Sequence, residues 1–76
     1  MNVEHLRYMV DQIAKNLAVR GHDSAVLVTV EYIDTFWEPR MKDAIFQDDR
    51  ALLSPIGREA VELLTSGNAF KRVGSA

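Results

Sequence analysis

Residues 22–37 read His22-Asp23-Ser24-Ala25-Val26-Leu27-Val28-Thr29-Val30-Glu31-Tyr32-Ile33-Asp34-Thr35-Phe36-Trp37, and the fold turns on how this stretch is taken. Its centre, Ala25 to Val30, is β-branched and has the composition of a strand. Alternation is poor, however, because both parities are apolar until Glu31. At helical spacing Val26, Val30, Ile33 and Trp37 form one row, flanked by Thr29, Tyr32 and Phe36, with Glu31, Asp34 and Thr35 roughly opposite. A lone strand in so short a chain would have nothing to pair with. The stretch is predicted as a helix, with Asp23 or Ser24 as its N-terminal cap.

Upstream, Val3, Leu6, Met9, Val10, Ile13, Ala14 and Leu17 fall within an arc of about 140° on a helical wheel. Glu4, Tyr8, Asp11, Gln12 and Lys15 take the other side. This predicts a first helix from Asn2 or Val3 to about Val19, stopped by Gly21. Downstream, Pro39 ends the second helix, because the residue before a proline is pushed out of the α region. Pro39 can also open a third helix, which runs to about Gln47 with Met41, Ala44 and Ile45 on one side. Asp48-Asp49-Arg50 reads as a solvated break. Ser54-Pro55 repeats the start signal for a last helix to about Leu64, burying Ile56, Ala60, Leu63 and Leu64. The expected product is an all-α fold, a compact small helical domain of three to four helices over residues 1–68, with 69–76 as a frayed C-terminal tail.

The whole chain has 76 residues, with 9 Lys or Arg, 11 Asp or Glu, two His and no Cys. A domain of this size buries only about 60–65% of its unfolded surface, and such domains usually rely on disulfides, a metal or a partner. The absence of Cys excludes disulfides and thiolate-bound metal, and two His without a clustered set of carboxylates leave a structural metal unexpected. A partner is the default expectation. A net charge of −2 lacks the basic face that sequence-independent nucleic-acid binding needs. No apolar run reaches the ~18–20 residues of a membrane span, and Met1-Asn2-Val3-Glu4-His5 has no signal-peptide character. The expectation is a cytoplasmic protein with no membrane and no nucleic acid among its partners.

The residues offer no independent enzyme. His5 and His22 lack the context of a positioned base beside a nucleophile. Glu31 with Asp34, and Glu59 with Glu62, share helix faces as acid–base pairs do, but on arcs already polar by pattern. Asp48-Asp49 lacks calcium-loop spacing, and Gly21, Gly57, Gly67 and Gly74 are too scattered for a phosphate loop.

The most unusual segment is Phe36-Trp37-Glu38-Pro39-Arg40-Met41. It reads either as a helix–helix corner stapled by Trp37 or as an interface anchor, since Trp, Arg and Met are enriched at binding hot spots. Pro39 would hold such an anchor rigid, so that docking orders little. Leu27 and Val28 fall off the apolar stripe of the second helix and hint at a covered surface. The expected partner-binding set is Trp37, Pro39, Arg40, Met41, Leu27 and Val28.

The order of these motifs resembles the delta subunit of the cytoplasmic, NAD-dependent, molybdenum-containing formate dehydrogenases. The resemblance rests on Tyr8-Met9-Val10-Asp11-Gln12-Ile13, on the Phe36-to-Met41 corner and on Leu53-Ser54-Pro55, and it covers about residues 4–65. The chain has Asp11 where that family usually has Asn. The resemblance implies a non-catalytic accessory subunit that binds the alpha subunit, for assembly or stability of the complex and for molybdenum-cofactor insertion. It also implies that this chain has no cofactor of its own. The alpha subunit would hold bis-molybdopterin guanine dinucleotide and iron–sulfur clusters, and beta and gamma subunits would pass electrons through flavin to NAD. Two other readings stay open. One is a guanine-nucleotide-binding maturation factor (GTP or molybdopterin guanine dinucleotide) using Arg40, Trp37, Gln12, Arg7 and Lys15, with Arg40 on a phosphate and Trp37 stacked on a base. The other is a homo-oligomer formed through the exposed aliphatic patch.

Overall fold

A computed structural model describes residues 2–66, and every regular element in that range is helical. Helix α1 spans Val3–Leu17, α2 His22–Phe36, α3 Pro39–Phe46 and α4 Pro55–Ser66, with 3-10 turns at Ala18–Arg20 and Arg50–Leu52. The contested stretch is therefore a helix. The expected C-terminal tail and the Gly67-Asn68 stop lie outside the described residues.

Local chemistry accounts for most boundaries. Asn2 caps α1, its side-chain oxygen accepting from the Glu4 N–H at 2.8 Å and the His5 N–H at 3.4 Å. Trp37 and Glu38 are both extended, with ψ of 137° and 156°, and for Glu38 the proline that follows requires it. The start of α2 differs from expectation. Neither Asp23 nor Ser24 caps it; the cap position is Gly21, at φ 100°. That left-handed φ suits glycine and reverses the chain in one residue, so α2 begins at once and Asp23 and Ser24 fall inside its first turn.

Two connected clusters form the core. Leu6, Val10, Ile33, Trp37, Ile45, Leu53 and Val61 draw on all four helices, while Val26, Val30 and Ala60 join α2 to α4. On α4 the expected stripe is rotated by one position. Val61 and Gly57 are buried with Ala60, whereas Ile56, Leu63 and Leu64 are only half-buried. The cause is close approach: a Cβ on Gly57 would lie 2.9 Å from Val10 Cγ1 and 3.0 Å from Asp11 Oδ1, so α4 sits against α1 on its glycine side.

The Asp48-Asp49-Arg50 break is tied down rather than freely solvated. Arg7 Nε donates to Asp48 Oδ2 and Nη2 donates to Oδ1 at 3.4 Å. Asp49 accepts from the Ala51 N–H at 2.9 Å, and Arg50 donates to the Phe46 carbonyl at 3.3 Å. The Arg7 hydrogen bond holds the Asp48 carboxyl below the usual carboxylate range, against an opposing effect of burial. A group with a depressed folded pKa stabilises the fold at pH above its unfolded value, and that contribution disappears as pH falls through its folded value. Asp48→Asn is expected to lower the melting temperature at neutral pH. The gap from wild type should close in acid, below the ordinary aspartate range of about pH 4. Thermal melts of both proteins from pH 7 to pH 2 check this; a gap that stays constant would show the pair is not the cause.

Candidate functional site

The Phe36-to-Met41 corner divides into inward and outward residues. Trp37 is 4% exposed and belongs to the main core cluster, and Met41 is half-buried against it. Phe36, Glu38, Pro39 and Arg40 are exposed, and the last three line one shallow depression. Trp37 thus has a core position, and its indole has no free face for a partner or a base. The reason is local: once α2 ends at Phe36, the extended Trp37 backbone swings its side chain inward, beneath α3.

Phe36 and Tyr32, expected on the flank of the buried row, are 68% and 45% exposed. Their rings lie 4.9 Å apart, tilted by 47°. Leu27 is 50% exposed, while Val28 is half-buried and lines a second shallow depression with Glu31, Tyr32, Thr35 and Phe36. The signal in the sequence was the four-residue spacing of Val28, Tyr32 and Phe36, which puts them on one row. That row was masked by the overall hydrophobicity of the segment.

A third feature is a cleft of 520 Å³ between α1 and the start of α4, lined by Gln12, Lys15, His22, Ser54 and Pro55 among others. Asp11 closes one side, its Oδ1 accepting from the Ser54 N–H at 3.0 Å. That carboxylate sits at the N-terminal end of α4, where the helix dipole favours negative charge. An asparagine, with the same acceptor atom, would make the same bond, so Asp11 leaves the local architecture intact.

The five residues of the nucleotide reading fall in three places. Gln12 and Lys15 line the cleft, Arg7 is paired with Asp48, and Arg40 and Trp37 belong to the corner. They do not surround one pocket among the described residues.

Elsewhere the tertiary structure assembles what the sequence kept apart. His22 Nε2 contacts Glu59 Oε2 across the α2–α4 pair. With Asp23, one ligand atom from each residue lies within 4.8 Å of the others, though all three residues are exposed. The His22–Glu59 contact is a surface hydrogen bond between α2 and α4. Lys42 donates to the Asp34 carbonyl at 2.9 Å and approaches its carboxylate at 3.4 Å, linking α3 to the end of α2. No described helix is long and apolar enough to cross a membrane.

Among known proteins, no curated relative and no solved structure matches the chain. A family model described as NADH-dependent formate dehydrogenase delta subunit, FdsD, matches residues 5–61. That span begins in the first turn of α1 and ends inside α4, so it takes in the corner, both 3-10 turns and every residue of the two core clusters. With the whole folded core inside the match, the chain belongs to the formate dehydrogenase delta subunit family.

Proposed function

We propose that the chain is a non-catalytic accessory subunit that binds the alpha subunit of an NAD-dependent, molybdenum-containing formate dehydrogenase in the cytoplasm. Its work is assembly or stability of that complex, including insertion of the molybdenum cofactor into alpha. In this reading bis-molybdopterin guanine dinucleotide and the iron–sulfur clusters belong to alpha, and beta and gamma complete the route to NAD. The family match across the folded core is the observation that carries it. It is supported by the character of the exposed surface, which carries exposed aromatic rings on α2 and a proline-fixed corner.

Co-expression with affinity-tagged alpha subunit tests it. The chain is expected to co-purify with alpha, and alpha produced without it is expected to carry less molybdenum. Failure of the wild-type chain to be retained would defeat the reading. Arg40→Ala, with Met41→Ala, is expected to reduce retention severalfold while the chain stays folded; retention equal to wild type would remove the corner from the interface.

A second reading, guanine-nucleotide binding, draws on the α1–α4 cleft, which brings Gln12 and Lys15 together with His22 and Ser54. Calorimetry with GTP and GMP tests it, and no heat with either ends it.

A further inference from the structure

His22, Asp23 and Glu59 come together where α2 begins beside the second turn of α4. Each offers one ligand atom, an imidazole nitrogen or a carboxylate oxygen, and all three atoms lie within 4.8 Å of one another. Glu59 is 37 residues from His22 in sequence, so only the packing of α4 on α2 creates the set. A zinc ion bonds nitrogen and oxygen at about 2.0–2.2 Å, which in a tetrahedral shell sets neighbouring ligand atoms about 3.4 Å apart. Side-chain rotation is enough to close the three atoms to that spacing.

The backbones that carry the ligands are already fixed. Val26, one turn after His22, is buried in a cluster with Val30 and with Ala60, the residue next to Glu59. An ion bound here would not have to order either helix, which is the main cost of building a site. The His22 and Glu59 side chains are each 49% exposed, so the remaining side of the ion stays open to water, as in sites with three protein ligands.

Charge and ligand type select the ion. Asp23 and Glu59 supply two negative charges, and neither has a Lys or Arg partner among the described residues. Exposed carboxylates alone are ordinary; the imidazole among them is what distinguishes this set. Calcium and magnesium take shells of oxygen, whereas imidazole with carboxylate suits zinc and its first-row neighbours. A domain this short, without disulfides, is also the kind that a metal clip stabilises most.

We propose that His22, Asp23 and Glu59 bind one divalent first-row transition-metal ion, with zinc as the type, which clamps the start of α2 to α4. The ion takes the place of the direct His22–Glu59 hydrogen bond, and its role is structural. The proposal does not depend on the accessory-subunit reading.

The test uses the full chain, purified without a polyhistidine tag and stripped with EDTA. Calorimetry with zinc chloride is expected to show one ion per chain, saturating well below millimolar, and magnesium chloride is expected to give no heat. At about a hundred times the dissociation constant, zinc is expected to raise the melting temperature by roughly 5–10 °C, reversed by EDTA. His22→Asn and Glu59→Gln are each expected to weaken zinc binding at least tenfold, and Asp23→Asn severalfold. All three are exposed positions, and circular dichroism confirms that the variants fold. His5→Asn, which removes the other histidine, is expected to leave binding unchanged. Absence of saturable zinc binding below millimolar would overturn the proposal, as would a His22→Asn variant that binds like wild type. Loss of binding with His22→Asn but with neither carboxylate variant would show a lone surface imidazole and overturn the three-ligand site as well.

Discussion

Trp37→Ala is expected to remove a large share of the protein's stability. Truncating a buried tryptophan costs about 3–5 kcal/mol in lost burial and residual cavity. A chain of 76 residues has a total stability of only roughly 4–11 kcal/mol. Position makes this residue worse to lose than most. Its cluster partners are Leu6 and Val10 from α1, Ile33 from α2, Ile45 from α3, Leu53 from the segment before α4 and Val61 from α4. One cavity would therefore loosen every helix contact at once. Trp37→Phe is expected to be far milder. The indole Nε1 is buried with no acceptor among the described residues, and phenylalanine removes that unpaired donor while keeping most of the ring. Urea denaturation of the three proteins gives the order: wild type and Trp37→Phe close together, Trp37→Ala far below. An alanine variant within 1 kcal/mol of wild type, taking about 1 kcal/mol as the ordinary effect of a point change, would show that Trp37 is not a core element.

Gly57→Ala is expected to destabilise the fold by about 1–3 kcal/mol, the usual cost of an extra methyl group in a packed core. Two effects oppose each other here. Alanine is the better helix former by up to about 1 kcal/mol in a helix interior. Against that, the new Cβ would lie 2.9 Å from Val10 Cγ1, 3.0 Å from Asp11 Oδ1 and 3.3 Å from Ser54 Oγ. Val10 is fully buried and has nowhere to retreat. Asp11 and Ser54 are joined to each other by the Ser54 N–H bond, so a shift of either disturbs the entry to α4. The clash wins. Thermal melts should place Gly57→Ala below wild type, whereas Gly21→Ala, strained by its φ of 100° with nothing within 4 Å, isolates the purely conformational cost of replacing a glycine. If Gly57→Ala raised the melting temperature, the close approach of α1 and α4 would be wrong.

The helices themselves were legible from residue order. The amphipathic arc of α1, the proline start of α3 and the Ser54-Pro55 start of α4 are local signals, and each lies where its residues predict. The contested segment also yielded to periodicity, because Val26, Val30 and Ile33 all turn inward. Less legible was anything that depends on a neighbour's position. Whether Asp48 is free or paired depends on Arg7, 41 residues away. That Val61 rather than Ile56 fills the core follows from the missing Cβ at Gly57, which sets how closely two helices approach. The corner motif was visible as a unit, but not its division. Trp37 turns in and Phe36 turns out because α2 stops between them.

Composition, helical periodicity and the ordered motifs by themselves determined the all-α class, the helix order and the family. Those are properties of consecutive residues and of their spacing along one helix. The tertiary structure alone decided which apolar residues are left over for a partner. Exposure is a property of packed pairs of helices: against α1 and α4, Ala25, Val26, Thr29, Val30 and Ile33 of α2 are buried, while Tyr32 and Phe36 at the edge of that face stay exposed.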